Sequence, residues 1–138
     1  MMLFDWRNNA HVKTAGWPYP ANPRPWSQLR DEYKAMGEPG APILAIIESV
    51  ASSTEAESLA GFTSMADLIV IESPPRALPY DAVAIKLRDG GRVEIEHLSV
   101  TGHNDRITRE SDAAVPLFWR FMTEKFGVSP VGQSRRDP

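Results

Sequence analysis

Two stretches of the chain alternate apolar and polar residues with the period of a strand. In DAVAIKLR, Val83, Ile85 and Leu87 alternate with Ala82, Ala84 and Lys86. In RVEIEH, Val93 and Ile95 alternate with Glu94 and Glu96. Directly opposed residues of a hairpin share a face, so the two apolar sets must meet. A two-residue turn at Asp89-Gly90 or Gly90-Gly91 would set Ile85 or Leu87 against Glu94 and fails this test. A three-residue loop, Asp89-Gly90-Gly91, pairs Leu87 with Val93 and Ile85 with Ile95, and it supplies glycine for the left-handed position such loops require. The same register opposes Val83 to His97. It sets Lys86 opposite Glu94 on the other face, as a surface pair worth ~0–1 kcal/mol.

The remaining apolar segments are less decided. ILAIIESV, 43–50, is apolar and rich in isoleucine. Periodicity does not separate strand from helix in so short a run. Branched side chains and the Gly/Pro bracket at its start favour a buried strand. SSTEAESLAG then offers capping-box spacing twice, Ser52 to Glu55 and Thr54 to Glu57, and predicts a short helix ending at Gly61. ADLIVIES, 66–73, predicts a second strand, stopped by Pro74 and Pro75. Strand, helix, strand would be a right-handed crossover; the alternative makes 41–60 a helical hairpin.

Helical spacing marks two further segments. PWSQLRDEYKAMG, 25–37, places Leu29, Tyr33 and Met36 on one side, with Ser27 as cap and Gly37 as terminator. In DAAVPLFWRFMTEKFG, 112–127, Phe118, Met122 and Phe126 line up and Leu117 and Phe121 widen the stripe. Gly127 is a good terminator. Pro116 conflicts with a start at Asp112, so either the regular turns begin at Pro116 or the first turn is distorted. The predicted fold is α+β: a small mixed or antiparallel sheet with a β-hairpin (82–98), packed against a C-terminal helix at 116–126. Residues 1–25 form a Pro/Trp-rich extended arm, because WPYPANPRPW has prolines at 18, 20, 23 and 25, which remove donors and fix φ. Residues 26–128 form one domain. The tail 129–138 is polar.

Composition narrows the class. A chain of 138 residues suits one domain with a real core. It has no cysteine, which removes disulfides, thiolate metal sites and cysteine nucleophiles, and suits a cytoplasmic setting. The start MMLFDWRNNA is not a secretory signal, and no apolar run has the length of a membrane span. The net charge of −3 arises from 15 basic and 18 acidic residues without blocks of either sign, so neither nucleic acid nor membrane is expected as a partner.

The candidate chemistry gathers at the exit of the hairpin, EIEHLSVTGHNDRIT. His97 at a strand end is either a general base or a partly buried histidine bonded to backbone. His103 in TGHNDR reads as a turn residue, since Asn and Asp bond their own backbone there. With Asp105 the two imidazoles make a conceivable acid/base set. Their spacing of six matches no metal motif, so no metal site and no cofactor are expected. Ser99 and Thr101 supply the residue types of a triad but no Gly-x-Ser-x-Gly elbow. Glu94 and Glu96 project to the face opposite His97 and cannot converge with it on one atom.

The loop beyond offers Arg106, Ile107 and Arg109. Arginines around one apolar residue suit a protein contact, and Arg-Ile-Thr-Arg is equally readable as a charged edge strand. Trp119 is a further candidate contact at the margin of the C-terminal helix. Two function classes follow. The first is a small non-enzymatic protein-binding domain, whose size and acidity are shared by antagonist or immunity-like proteins. The second is a hydrolase or acid/base enzyme using His97, His103 and Asp105, with a divalent metal as an option. The absence of catalytic spacing favours the first. Homo-oligomerisation is left open.

Overall fold

Ile43, Ile46, Ile47 and Val50 are all fully buried, while Ala45 and Glu48 are exposed. That is the stripe of a helix, and the segment predicted as a strand is helix α2 (Ala41–Ala51), following α1 (Trp26–Ala35). The computed structural model describes residues 23–73, 82–98 and 106–129. The strand expectation failed because an apolar segment of eight residues satisfies either period, and the surface available for burial decides between them. Pro42 lies in the first turn, where no backbone donor is needed. At the other end Ser52 closes the helix, its N–H and hydroxyl both donating to the Glu48 carbonyl, at 3.1 and 2.9 Å.

The predicted helix at 52–60 is also absent. Ser53 Oγ accepts the Glu55 N–H at 3.1 Å, a local bond that offers the backbone an alternative to helix. The chain then turns into strand β1 (Leu59–Ser64), which runs antiparallel to β2 (Asp67–Glu72), so there is no crossover. Their link is the two-residue turn Met65-Ala66, with Met65 at φ 59°.

Strands β3 (Ala82–Arg88) and β4 (Arg92–His97) form the hairpin in the predicted register. Val83 opposes His97, Ile85 opposes Ile95, Lys86 opposes Glu94 and Leu87 opposes Val93. Asp89-Gly90-Gly91 makes the loop, with φ of 74° and 75° at the two glycines. Strand β5 (Arg106–Arg109) follows, and the five strands lie in the order β1-β2-β3-β4-β5, every pair antiparallel. The fold is α+β, and the sheet is antiparallel rather than mixed.

One sheet face, here the front, carries the main core. Leu59, Leu68, Val70, Val83, Ile85, Val93 and Ile95 meet Leu29 and Tyr33 of α1, the stripe of α2, and Phe118 and Phe121 of α3 (Ala114–Phe121). The C-terminal helix thus shares this face with two others, one of which the pattern had assigned to the sheet. α3 starts at Ala114, two residues before Pro116, which sits in the first turn where its missing N–H costs nothing. One wide turn, Met122–Phe126, extends it to Gly127, whose φ of 71° ends it. Helix α1 is capped by Pro25 rather than Ser27 and leaves Met36 exposed.

Trp26 lies across Gly61 of β1, and its indole N–H is shared between the carbonyls of Ala56 and Leu59 at 3.1 and 3.2 Å. The back of the sheet holds a second apolar cluster, Phe62, Ile69, Ile71, Ala82, Ala84 and Leu98. Residues 1–22 of the predicted arm and 130–138 of the predicted tail lie outside the described residues.

Candidate functional site

The two ends of the sheet differ. At β1, the Arg24 N–H donates to the Gly61 carbonyl at 2.9 Å and forms a bridge to the strand's outer edge. The Arg24 side chain pairs with Glu32 and donates to Thr63 Oγ1 at 2.8 Å, so α1 and its lead-in hold that edge. At β5, no strand among the described residues pairs with the outer edge. An uncovered edge presents a row of backbone donors and acceptors, a template for another chain.

Alternation along β5 sorts its four side chains. Ile107 opposes Ile95 and Arg109 opposes Val93 on the front. Arg106 opposes Glu96 and Thr108 opposes Glu94 on the back. Ile107 is half-buried and packs against the main core, and both arginines are exposed. Arg109 donates to the Thr108 carbonyl at 2.9 Å. Among the described residues neither Arg106 nor Arg109 has a carboxylate at ion-pair distance.

Inside this edge the back of the sheet is a band of compensated charge. Lys86 Nζ reaches Glu96 at 3.3 Å and Arg88 Nε reaches Glu94 at 2.9 Å. The pairs therefore run diagonally, and the directly opposed Lys86–Glu94 pair is replaced because long side chains span the diagonal. Nor are these acids surface groups. Glu94 is 7% exposed, and its Oε2 is buried with no hydrogen-bond partner among the described residues. Burial raises the Glu94 pKa, but the Arg88 hydrogen bond and the charges of Arg88, Lys86 and Arg106 outweigh it and hold the carboxyl below its ordinary range. Asp67, half-buried beside this band, is shifted the other way: burial raises it against the lowering charges of Lys86 and Arg88. A cavity of about 420 Å³ opens beside the band, lined by Arg88, Asp89, Arg92, Glu94 and Thr108 with Leu87.

The other candidates are placed as follows. His97 ends β4 on the front, buried at 7% exposure, opposite Val83. His103 and Asp105 lie outside the described residues, as do Ser99 and Thr101. Among the described residues no three His, Asp or Glu groups are grouped to hold a metal ion, and no helix is long and apolar enough to cross a membrane. Trp119 is buried at the α2–α3 contact, where its indole N–H donates to Ser49 Oγ at 2.6 Å. It stands apart from Arg106, Ile107 and Arg109, which the structure brings together on β5.

Reading the segments one at a time missed the contribution of Arg88, Glu94 and Thr108 to one surface. The signal was present as same-parity charges at 86, 88, 94 and 96, which fall on one face once the hairpin register is fixed; Arg106 and Thr108 join that face only through the pairing of β5 with β4. No known family model, curated protein or solved structure matches the chain.

Proposed function

We propose that this chain is a small, non-enzymatic protein-binding domain, of the antagonist or immunity-like kind, that meets its partner through β5. The observation that carries this reading is the contrast between the sheet ends: β1 is held by Arg24, while among the described residues no strand pairs with the outer edge of β5 and neither of its exposed arginines has a carboxylate at ion-pair distance. Edge strands are a recurring route to protein contact, because backbone hydrogen bonds supply affinity and alternate side chains supply selectivity. Arginine beside a half-buried isoleucine has the composition of an interface core and its margin. A reducing, cytoplasmic setting accords with the cysteine-free sequence.

Photo-crosslinking in cells of the source organism tests this reading. A benzophenone amino acid replaces Arg106 or Arg109 in turn, with a control at exposed Lys34 of α1. A discrete protein adduct from both β5 positions, missing from the control, is expected. Identical adducts from all three positions, or none from β5, would sink the proposal.

A further inference from the structure

We infer that the β5 edge accepts an extended, acidic segment of a partner protein, with two carboxylates three positions apart and an apolar residue between them. This inference rests on the protein-binding reading above and names the chemistry of the partner.

Three observations define the segment. The first is charge. Across the back of the sheet, Lys86 and Arg88 are matched by Glu96 and Glu94, and the pattern stops at Arg106, which has no carboxylate at ion-pair distance among the described residues. Arg109 at the other end of β5 is likewise unmatched there. A directly opposed residue on an added strand would stand with its Cβ about 4.5–5.5 Å from the arginine Cβ, where opposite charges attract and like charges repel.

The second observation is an apolar row on the front. Leu68, Ile85, Ile95 and Ile107 are opposed in sequence across β2, β3, β4 and β5. The first three are fully buried and Ile107 is half-buried. An apolar residue opposite Ile107 would continue the row and remove more of that side chain from water. Antiparallel addition continues the sheet's own geometry and is slightly the more stable mode. Read from its N-terminus, the added segment is then acidic, unrestricted, apolar, acidic, facing Arg109, Thr108, Ile107 and Arg106 in turn.

The third observation weighs the rival occupant, a second copy of the chain. Opposed residues share a face, so an antiparallel second copy could set Ile107 against Ile107 and Arg106 against Thr108. Among the described residues that register supplies no carboxylate to either arginine, whereas an acidic segment supplies one to each and keeps the apolar contact.

NMR titration of the full chain decides the matter. The probes are synthetic peptides of about ten residues, one centred on Glu-Thr-Val-Glu and one on Lys-Thr-Val-Lys. A third repeats the acidic sequence with the backbone N-methylated on alternate residues. The acidic peptide should bind at least about tenfold more tightly than the basic one, shift the amides of 106–109, and lose binding when N-methylated. The R106E/R109E double variant, altered at exposed positions, should reverse the order of the first two. Because R106E sets a carboxylate opposite Glu96, a lower melting temperature is expected, and a cooperative transition well above the titration temperature shows that the variant is folded.

Equal binding of both peptides, or retention after N-methylation, would overturn the inference. So would displacement of the acidic peptide by an equal concentration of a single-stranded oligonucleotide, which would assign the arginines to phosphate. If no peptide binds but the β5 crosslinks identify a partner, the acidic segment is wrong and the protein-binding reading stands. If the crosslinks also fail, both fall.

Discussion

Replacing Gly61 by alanine sets two effects of opposite sign against each other. Within a strand, alanine should be the better residue, because glycine loses more backbone freedom on folding, an advantage of roughly 0.5–1 kcal/mol. The structure opposes this. A Cβ on Gly61 would stand 2.8 and 3.0 Å from two ring carbons of Trp26 and 3.1 Å from Leu29 Cδ1. The normal carbon–carbon separation is about 3.5–4.0 Å, so the indole must move. Overpacking of this kind costs about 1–3 kcal/mol. Moving the ring also loosens its hydrogen bond to the carbonyls of Ala56 and Leu59, and a hydrogen bond contributes about 0.5–1.5 kcal/mol net.

The strain therefore wins, and Gly61→Ala should destabilise by about 1–3 kcal/mol. Urea unfolding followed by far-ultraviolet circular dichroism measures the loss, and a double-mutant cycle assigns its cause. The two ring carbons belong to the indole's six-membered ring, which a phenylalanine at position 26 would not carry as far. In the Trp26→Phe background the same substitution should cost at least about 1 kcal/mol less. Stabilisation by Gly61→Ala, or additivity of the two changes, would refute the placement of Trp26 over β1.

Two further outcomes follow from named contacts. Ser49→Ala leaves the buried indole N–H of Trp119 without its acceptor, and should cost about 1–3 kcal/mol in a chemical-denaturation experiment, with Ser49→Thr recovering much of the loss. The Glu94 carboxyl has a folded pKa below its unfolded one, so its contribution to stability is present above the unfolded value and is lost as pH falls through the folded one. Arg88→Met removes the hydrogen bond that lowers it and leaves the burial that raises it. The denaturation midpoint of this variant should therefore fall further below that of the original chain at pH 7 than at pH 3; an equal deficit at both would mean that the Arg88–Glu94 contact is not what holds the carboxylate.

The hairpin was legible residue by residue, including its loop, its register and the inward position of His97. Such a unit is local, and two alternating strands joined by a short glycine loop admit few pairings that keep apolar residues together. The charge ladder was half legible. The pattern placed Lys86 and Glu94 on one face, but the diagonal contacts that form depend on side-chain reach. Arg106, Ile107 and Arg109 were identified as candidates, and Arg-Ile-Thr-Arg was readable as an edge strand. That it lies beside β4, with the apolar row ending on Ile107, required the assembled sheet.

The amino-acid sequence by itself determined the parts whose partners are near in the chain: the β3–β4 hairpin, α1, the apolar stripe of α3 and the left-handed stops at Gly37 and Gly127. The tertiary structure decided α2 and β1. The six apolar residues within 43–50 can fill a strand or a helical stripe equally well, and the sheet they cover is built from residues farther along the chain. Residues 59–64 carry capping signals just upstream that favour a helix, yet pairing with β2 and the cover of Trp26 bind them into the sheet. Burial against distant surfaces exceeds local preference in both places, because the local terms are tenths of a kcal/mol per residue and each fully buried isoleucine contributes about 1.5–3 kcal/mol.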